Sequence, residues 1–152
     1  MGIIIKTEEQ IELIRESCRR LAIVHKELEE FIKPGISTRD IDIKGDKLIR
    51  QLEGIPNFLH YNGFPASICV SVNDEVVHGI PNKHRILQEG DIVSLDAGMI
   101  YKGYHSDAAR THAVGQISKE ARQLIDATRE SFFAGIKMAK AGNHLFDISN
   151  AI

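Results

Sequence analysis

The chain has 152 residues, 43% of them hydrophobic, and a formal net charge of -2 at pH 7. This length and apolar content predict one globular domain with a sizeable core and exclude a disordered chain. Acidic and basic residues are interspersed and no apolar run approaches a membrane span, so neither nucleic acid nor membrane is an expected partner. Cys18 and Cys69 form no CxxC pair, which indicates reduced thiols and a cytoplasmic location.

Two amphipathic helices are predicted in the first third of the chain. The stretch Thr7–Gln10 has the form of a capping box, and apolar residues recur at helical spacing until Pro34-Gly35 stops the helix. A second helix is predicted from about Thr38 to Glu53, with Gly54 in the C′ position.

The middle of the chain is typical of strands. We expect a strand over Ser67–Val72, a turn at Asn73-Asp74, and a loop holding His78-Gly-Ile-Pro81. A long helix is then predicted from about Ser118 to Lys140, after a hairpin. The order of helices and strands predicts an α+β fold with an antiparallel sheet.

The hairpin is the most informative element because it carries an aspartate on each arm. Apolar strand formers run from Ile92 to Tyr101, Lys102-Gly103 is a natural turn, and a second strand returns from Tyr104 to Val114. Leu95 and Ala97, with apolar neighbours on both strands, predict that the hairpin is largely buried.

Two strand registers are compatible with this turn. With Lys102 and Gly103 at its centre, Asp96 lies opposite Ala109, and Asp107 is two positions away on the same face. With the centre one residue earlier, Asp96 and Asp107 are directly opposed. Either register places both carboxylates on one face, with Cβ atoms roughly 5 to 8 Å apart. Like charges at that distance repel unless one is protonated or a metal lies between them, so we expect a paired-carboxylate metal site.

A short internal repeat is also visible. The stretch from Lys33 to Ile41 lines up with the stretch from Lys140 to Ile148 at an offset of 107 residues, and each follows a long helix. This pattern favours a duplicated fold, although a chance match remains open. The second copy's next helix would start near Leu145, so Ile152 falls midway through it and we expect a truncated chain.

Several motifs, taken in order, closely resemble the bacterial type I methionine aminopeptidases over essentially the whole chain. They are Ile5-Lys-Thr-Glu-Glu, Ile32-Lys-Pro-Gly-Ile-Ser-Thr, Tyr61-Asn-Gly-Phe-Pro-Ala-Ser, Asn73-Asp-Glu-Val-Val-His78-Gly-Ile-Pro81, and Gly90-Asp-Ile-Val-Ser-Leu-Asp96 with Gly103-Tyr-His-Ser-Asp107.

The resemblance implies the N-terminal half of a pita-bread fold, with helices on one face of an antiparallel sheet. Residues 1–152 would form an incomplete catalytic domain: the first repeat, then the first helix and the start of the second helix of the second repeat. It also implies a metal-dependent aminopeptidase that removes the initiator methionine from nascent proteins, whose N-termini are the expected partners. The missing C-terminal half, as a second chain, or a second copy of this chain would be further partners.

Site residues follow from the matched motifs. By resemblance Asp96 chelates one metal with both oxygens, Asp107 bridges two metals, and His78 contacts the substrate near the scissile amide. Pocket residues for the methionine side chain would be Phe58, Tyr61, Phe64 and Cys69, whose apolar and polarizable walls suit a thioether. Asn62 stands where many relatives have histidine. Ordinary surface or hydrogen-bonded positions are expected for His25, His84, His105, His112 and His144, and His60 has no motif behind it.

The implied cofactors are two divalent ions, with manganese, iron, cobalt and zinc all compatible with oxygen-rich ligation. The family site has five protein ligands, and this chain matches only its two aspartates. We therefore expect the 152-residue chain alone to be inactive.

Three interpretations remain. The first is a methionine aminopeptidase fragment, or one subunit of a split metallopeptidase. A non-catalytic interaction module that keeps the surface and the pocket is the second. The third is a proline-specific relative, which is disfavoured because such relatives usually carry a separate domain ahead of this region, whereas the match here begins at about Ile5.

Overall fold

The computed structural model describes residues 3–152, so Met1 and Gly2 lie outside the described residues. The chain forms two compact units that divide between Gln116 and Ile117. The first unit contains helices α1 (Glu8–Phe31) and α2 (Thr38–Gln51) and strands β1 (Ile55–Pro56), β2 (Ile68–Val72), β3 (Ile92–Tyr101) and β4 (Tyr104–Ala113). The second contains α3 (Lys119–Met138) and α4 (Leu145–Ala151). The α+β prediction is confirmed.

Helix α1 begins where the sequence predicts. The Gln10 amide donates to the Thr7 hydroxyl at 3.3 Å, and the Thr7 amide donates to the Gln10 side chain at 2.9 Å. These reciprocal bonds satisfy two of the amides that a helix N-terminus leaves free. Helix α1 is therefore fixed at its first turn by local chemistry.

The end of α2 differs by one residue from the prediction. Glu53, not Gly54, occupies the C′ position with a φ of 58°, and its amide donates to the Arg50 carbonyl at 3.0 Å. Gly54 follows at C″ and donates to the Ile49 carbonyl at 2.9 Å, which completes a Schellman motif. The glycine is needed for space, since a Cβ on Gly54 would collide with the Met99 side chain.

The sheet is antiparallel, with β3 at its centre. Strands β1 and β2 pair with β3 along one edge and β4 pairs with it along the other. Lys102 and Gly103 form the hairpin turn with φ values of 47° and 84°, the left-handed pair that a tight two-residue hairpin requires. Tyr101 consequently lies opposite Tyr104, and the register of the whole hairpin follows. Strand β1, only two residues long and including Pro56, was missed by the sequence pattern.

The core lies on one face of this sheet. Helix α1 packs against β3 and β4, and α2 packs against β1 and β2. Alternate β3 residues Val93, Leu95, Ala97 and Met99 are fully buried, as are Leu28 of α1 and Ile49 of α2. Helices on one face leave the other face of the sheet available for a site, as predicted.

Within the second unit the predicted helix boundaries hold. Ser118 caps α3, and α4 starts at Leu145 after His144. The His144 amide donates to the Asp147 carboxylate at 2.7 Å, just as the Ser37 amide donates to Asp40 at 2.9 Å at the start of α2. The preceding glycines, Gly35 and Gly142, have φ values of 94° and 93°. The two helix starts thus share local geometry, and common origin of the repeats stays a prediction.

A buried histidine ties α1 to β4 and makes the fold sensitive to acid. His25 is fully buried, and its Nε2 donates to the Ala108 carbonyl at 2.8 Å. Burial lowers the pKa of His25 to about 4, and the positive charge of Arg110 acts in the same direction. Because the folded pKa lies below the unfolded value of 6.5, stability is complete above pH 6.5 and is lost as pH falls toward 4.

We expect the free energy of unfolding to fall by about 2 kcal/mol between pH 7 and pH 5 through His25 alone. A His25→Gln variant keeps a donor for Ala108 but cannot titrate, so urea unfolding at both pH values should show a smaller loss. His84→Ala, in an exposed loop, serves as the control. Equal pH dependence of His25→Gln and the unmutated chain would contradict the assignment.

Candidate functional site

The two aspartates occupy the sheet face that the helices leave free. Asp96 lies opposite Ala109, and Asp107 lies opposite Gly98, so the carboxylates are diagonal neighbours with the same parity. This is the first of the two registers that the sequence allows. The tight turn at Lys102 and Gly103 selects it.

Their surroundings differ. Asp96 is half-buried, whereas Asp107 is exposed, so the expectation of a largely buried hairpin is wrong for β4 at this position. Within the part of the chain that the structure describes, no group donates a hydrogen bond to the buried Oδ1 of Asp96. Burial raises the pKa of Asp96 to about 6, with a further contribution from the neighbouring Asp107 carboxylate, while His78 acts in the opposite direction.

Cys69 joins this face from β2. It lies opposite Asp96 in the sheet and is buried. Burial and the nearby Asp96 and Asp107 carboxylates raise the pKa of its thiol to about 11, so it is a neutral, polarizable side chain at neutral pH. Asp42 of α2 fixes the start of β2, accepting from the amides of Ser67 and Ile68 at 2.8 and 3.0 Å.

Phe58 lies against the same face beside the carboxylates. A Cβ built on Gly98 would approach the Phe58 ring at 2.9 Å and the Asn57 Cβ at 3.0 Å, so the glycine makes room for this segment. The Asn57 amide donates to the Gly98 carbonyl at 3.0 Å. Since Gly98 is the residue opposite Asp107, the aromatic ring is one sheet position from the bridging candidate.

A compact turn carries the remaining aromatic candidates. The amide of Tyr61 donates to the Phe58 carbonyl, and the amide of His60 donates to the Phe64 carbonyl, at 3.0 and 2.8 Å. Tyr61 is 70% exposed and Phe64 is half-buried. Both therefore belong to the segment that begins at Phe58, and their contact with a substrate stays a prediction.

His78 reaches the site from a loop attached to β2. The amide of Gly79 donates to the Ser71 hydroxyl at 3.1 Å, and the Val70 amide donates to the Gly79 carbonyl at 2.9 Å. A Cβ on Gly79 would collide with the Val70 backbone, so only glycine allows this approach. His78 itself is exposed and has a φ of 56°, an uncommon value for a residue with a side chain.

The residues present fit part of a metal site. Two carboxylates share one face, and one of them has a buried oxygen without a donor, which is an arrangement that a cation relieves. No group of three or more His, Cys, Asp or Glu side chains able to hold a metal occurs among residues 3–152. The chain therefore supplies an incomplete ligand set.

Three residues of this face were not recognised from the sequence. They are Gly98, Asn57 and His105, whose Nδ1 is 2.9 Å from the Asn57 Oδ1. A glycine inside a strand pattern can mark a close approach, and that signal was available at Gly98. Asn57 and His105 lie 48 residues apart, and no spacing pattern links them.

Both the fold and the paired carboxylates are typical of a class of metal-dependent peptidases, and comparison with known proteins agrees. Residues 12–152 match the description of metallopeptidase family M24. The chain belongs to this family.

Its relatives are narrower in function than the family. The chain is 51% identical over 150 residues to a methionine aminopeptidase of Clostridium acetobutylicum, and 47% identical over 150 residues to methionine aminopeptidase 1 of Bacillus subtilis. In each comparison the match covers 99% of this chain and 60% of the relative. The crystal structure of methionine aminopeptidase from Thermotoga maritima superimposes with a TM-score of 0.96 at 38% identity, covering 99% of this chain and 61% of that one.

The chain thus spans about 60% of the length of the relatives it matches. The pita-bread fold is shared with these structural neighbours. None of the helices between residues 3 and 152 is long and apolar enough to cross a membrane.

Proposed function

We propose that this chain supplies part of the active site of a cytoplasmic methionine aminopeptidase, which removes the initiator methionine from nascent polypeptides. The observation that carries the proposal is the pair Asp96 and Asp107 on one sheet face, with a buried Asp96 oxygen that lacks a donor among residues 3–152. Family membership and the names of the relatives support the reaction class. We use "complete enzyme" for this chain together with a polypeptide equivalent to the rest of the relatives' length.

In the complete enzyme Asp96 would hold one divalent ion with both oxygens, and Asp107 would bridge it to a second ion. The half-buried position of Asp96 suits chelation, while the exposed Asp107 is open to an ion held partly by other groups. The ions, drawn from manganese, iron, cobalt and zinc, supply Lewis-acid activation of water and of the scissile carbonyl at neutral pH. Asp96, held near neutrality without a cation, exchanges a proton for that cation.

The other residues orient the substrate. His78 would donate a hydrogen bond near the scissile amide and stabilise negative charge that develops on the carbonyl oxygen. Phe58 and Cys69 form an apolar, polarizable wall beside the carboxylates, and Tyr61 and Phe64 would extend it. Methionine is the side chain that such walls suit, because the scissile bond of an aminopeptidase lies one residue from the substrate's N-terminus.

The ligand count predicts the behaviour of the 152-residue chain by itself. With two carboxylates of the five protein ligands that the resemblance implies, it should bind divalent metal weakly and hydrolyse methionyl peptides at a negligible rate. Large apolar side chains of α3 and α4 are exposed, including Phe132, Phe133 and Phe146. Self-association or binding of the missing part is the expected consequence.

The test compares the chain with the complete enzyme in the same assay. Each is loaded in turn with manganese, cobalt, iron and zinc and given a methionyl tripeptide and its alanyl counterpart, and sedimentation reports the oligomeric state. We expect methionine release only from the complete enzyme. Robust hydrolysis by the monomeric 152-residue chain would contradict the ligand count, and no hydrolysis by either preparation would contradict the proposed activity.

A second candidate is a module that binds polypeptide N-termini without cleaving them, alone or as one subunit of a split metallopeptidase. The exposed Asp107 and the incomplete ligand set favour it. Mass spectrometry of the purified native protein separates these cases, since a split enzyme requires a companion chain that carries the other ligands.

A further inference from the structure

Three residues outside the expected pocket set surround Phe58. The segment Asn57-Phe58 crosses the sheet at Gly98, where the Asn57 amide donates to the Gly98 carbonyl at 3.0 Å. The backbone φ of Gly98 is not in the left-handed region, so conformational freedom does not explain the glycine. Its missing side chain does: a Cβ there would lie 2.9 Å from the Phe58 ring and 3.0 Å from Asn57 Cβ.

The contact with Asn57 Cβ makes this crowding hard to relieve. A ring can rotate, but a Cβ is fixed to its own backbone, so any side chain on Gly98 must move the whole Asn57-Phe58 segment away from the sheet. Gly98 lies opposite Asp107 and two residues after Asp96. The depth at which Phe58 lies therefore sets the distance between the aromatic wall and the carboxylates.

A side-chain hydrogen bond holds the segment from its other side. His105 lies on β4, two residues before Asp107 and on the same face. Its Nδ1 donates to the Asn57 Oδ1 at 2.9 Å. This bond connects the strand that carries Asp107 to the residue that precedes Phe58, so wall and carboxylate are fixed relative to each other.

We propose that Gly98 and the Asn57–His105 hydrogen bond position the Phe58 ring and thereby set the selectivity for the first side chain of the substrate. The proposal rests on the proposed function for the identity of that substrate. Gly98, Asn57 and His105 are positioning residues here, since they act through Phe58. A longer or bulkier first side chain would need the ring farther from the carboxylates, and a shorter one would leave a gap.

The first experiment measures selectivity in the metal-loaded complete enzyme, as the ratio of kcat/KM for a methionyl tripeptide to that for an alanyl tripeptide. Because misplacement near 1 Å can cost up to about 100-fold, we expect Gly98→Ala to lower the ratio by roughly 10-fold and His105→Ala by roughly 3- to 10-fold. His105→Asn should restore the ratio to within about twofold, since its amide nitrogen replaces the Nδ1 donor.

Metal affinity separates positioning from damage to the carboxylates. It should stay within about twofold of the parent in each variant, because neither change removes a carboxylate. His84→Ala, which alters an exposed loop histidine, is the matched control for His105→Ala. An unchanged selectivity ratio in both Gly98→Ala and His105→Ala would overturn the proposal, and so would a change that follows metal affinity alone.

A second readout does not depend on catalysis. The sequence contains no tryptophan, so Phe58→Trp introduces an indole fluorophore at the wall. In that background, Gly98→Ala and His105→Ala should raise acrylamide quenching of the introduced indole, and His84→Ala should not. If the unmutated enzyme hydrolyses no methionyl substrate, the proposed function and the selectivity role both fail, while unchanged quenching overturns the positioning of the ring independently.

Discussion

Replacing Asp96 with asparagine should abolish the metal site while making the metal-free protein more stable. In the complete enzyme, Asp96→Asn removes a direct ligand, and partners of ligands alone are typically worth 10- to 100-fold in affinity. We therefore expect divalent-metal affinity and kcat/KM both to fall by more than about 100-fold. Isothermal titration with manganese and the methionyl tripeptide assay measure the two losses.

The gain in stability follows from the raised pKa of this carboxyl. Burial and the Asp107 carboxylate raise the pKa of Asp96 from 3.8 to about 6 in the folded chain. Below pH 3.8 the carboxyl is protonated in both states and costs nothing. As pH rises through 6 the unfolded chain loses this proton more readily, so the folded state is penalised. After allowance for solvent screening, Asp96→Asn should gain about 1 to 2 kcal/mol at pH 7.

The pH dependence of this gain distinguishes it from a general effect of the substitution. Urea unfolding of metal-free protein should show the full advantage of Asp96→Asn above about pH 6 and none below about pH 4. Asp126→Asn, at an exposed site on α3, is the matched control and should change little at either pH. A variant that loses stability at pH 7, or that keeps its metal affinity, would contradict the role of Asp96.

The part of this site that the sequence predicts is the part encoded in local patterns. The parity of Asp96 and Asp107 follows from strand alternation and a two-residue turn, and it holds in either register. Lys102-Gly103 then selects one register through the backbone conformation that a tight hairpin requires. Helix starts at Thr7 and Ser118 follow equally from capping chemistry.

What the sequence does not predict depends on tertiary contacts. Glu53 takes the left-handed position at the end of α2 because Gly54 is needed one residue later, where the Met99 side chain leaves no space for a Cβ. The pairing of Asn57 with His105 depends on where the chain crosses the sheet, and so does the exposure of Asp107. Both are properties of packing between elements that periodicity does not encode.

His78 provides the sharpest test of the catalytic proposal, because it lies on a loop and not on the carboxylate hairpin. In the complete enzyme, His78→Ala should lower kcat/KM for a methionyl tripeptide by roughly 10- to 1,000-fold, the worth of one hydrogen bond made in the transition state. The loss should fall mainly on kcat, with metal affinity within about twofold of the parent, since His78 is not expected to bind the ions.

A backbone effect must be separated from loss of the imidazole. His78 has a φ of 56°, which alanine adopts at a cost and asparagine tolerates better. We therefore pair His78→Ala with His78→Asn, which restores the backbone preference without the imidazole, and with His84→Ala as the loop control. Full activity in His78→Asn would assign the effect to the loop conformation, whereas equal losses in both His78 variants follow only if the imidazole itself acts on the substrate.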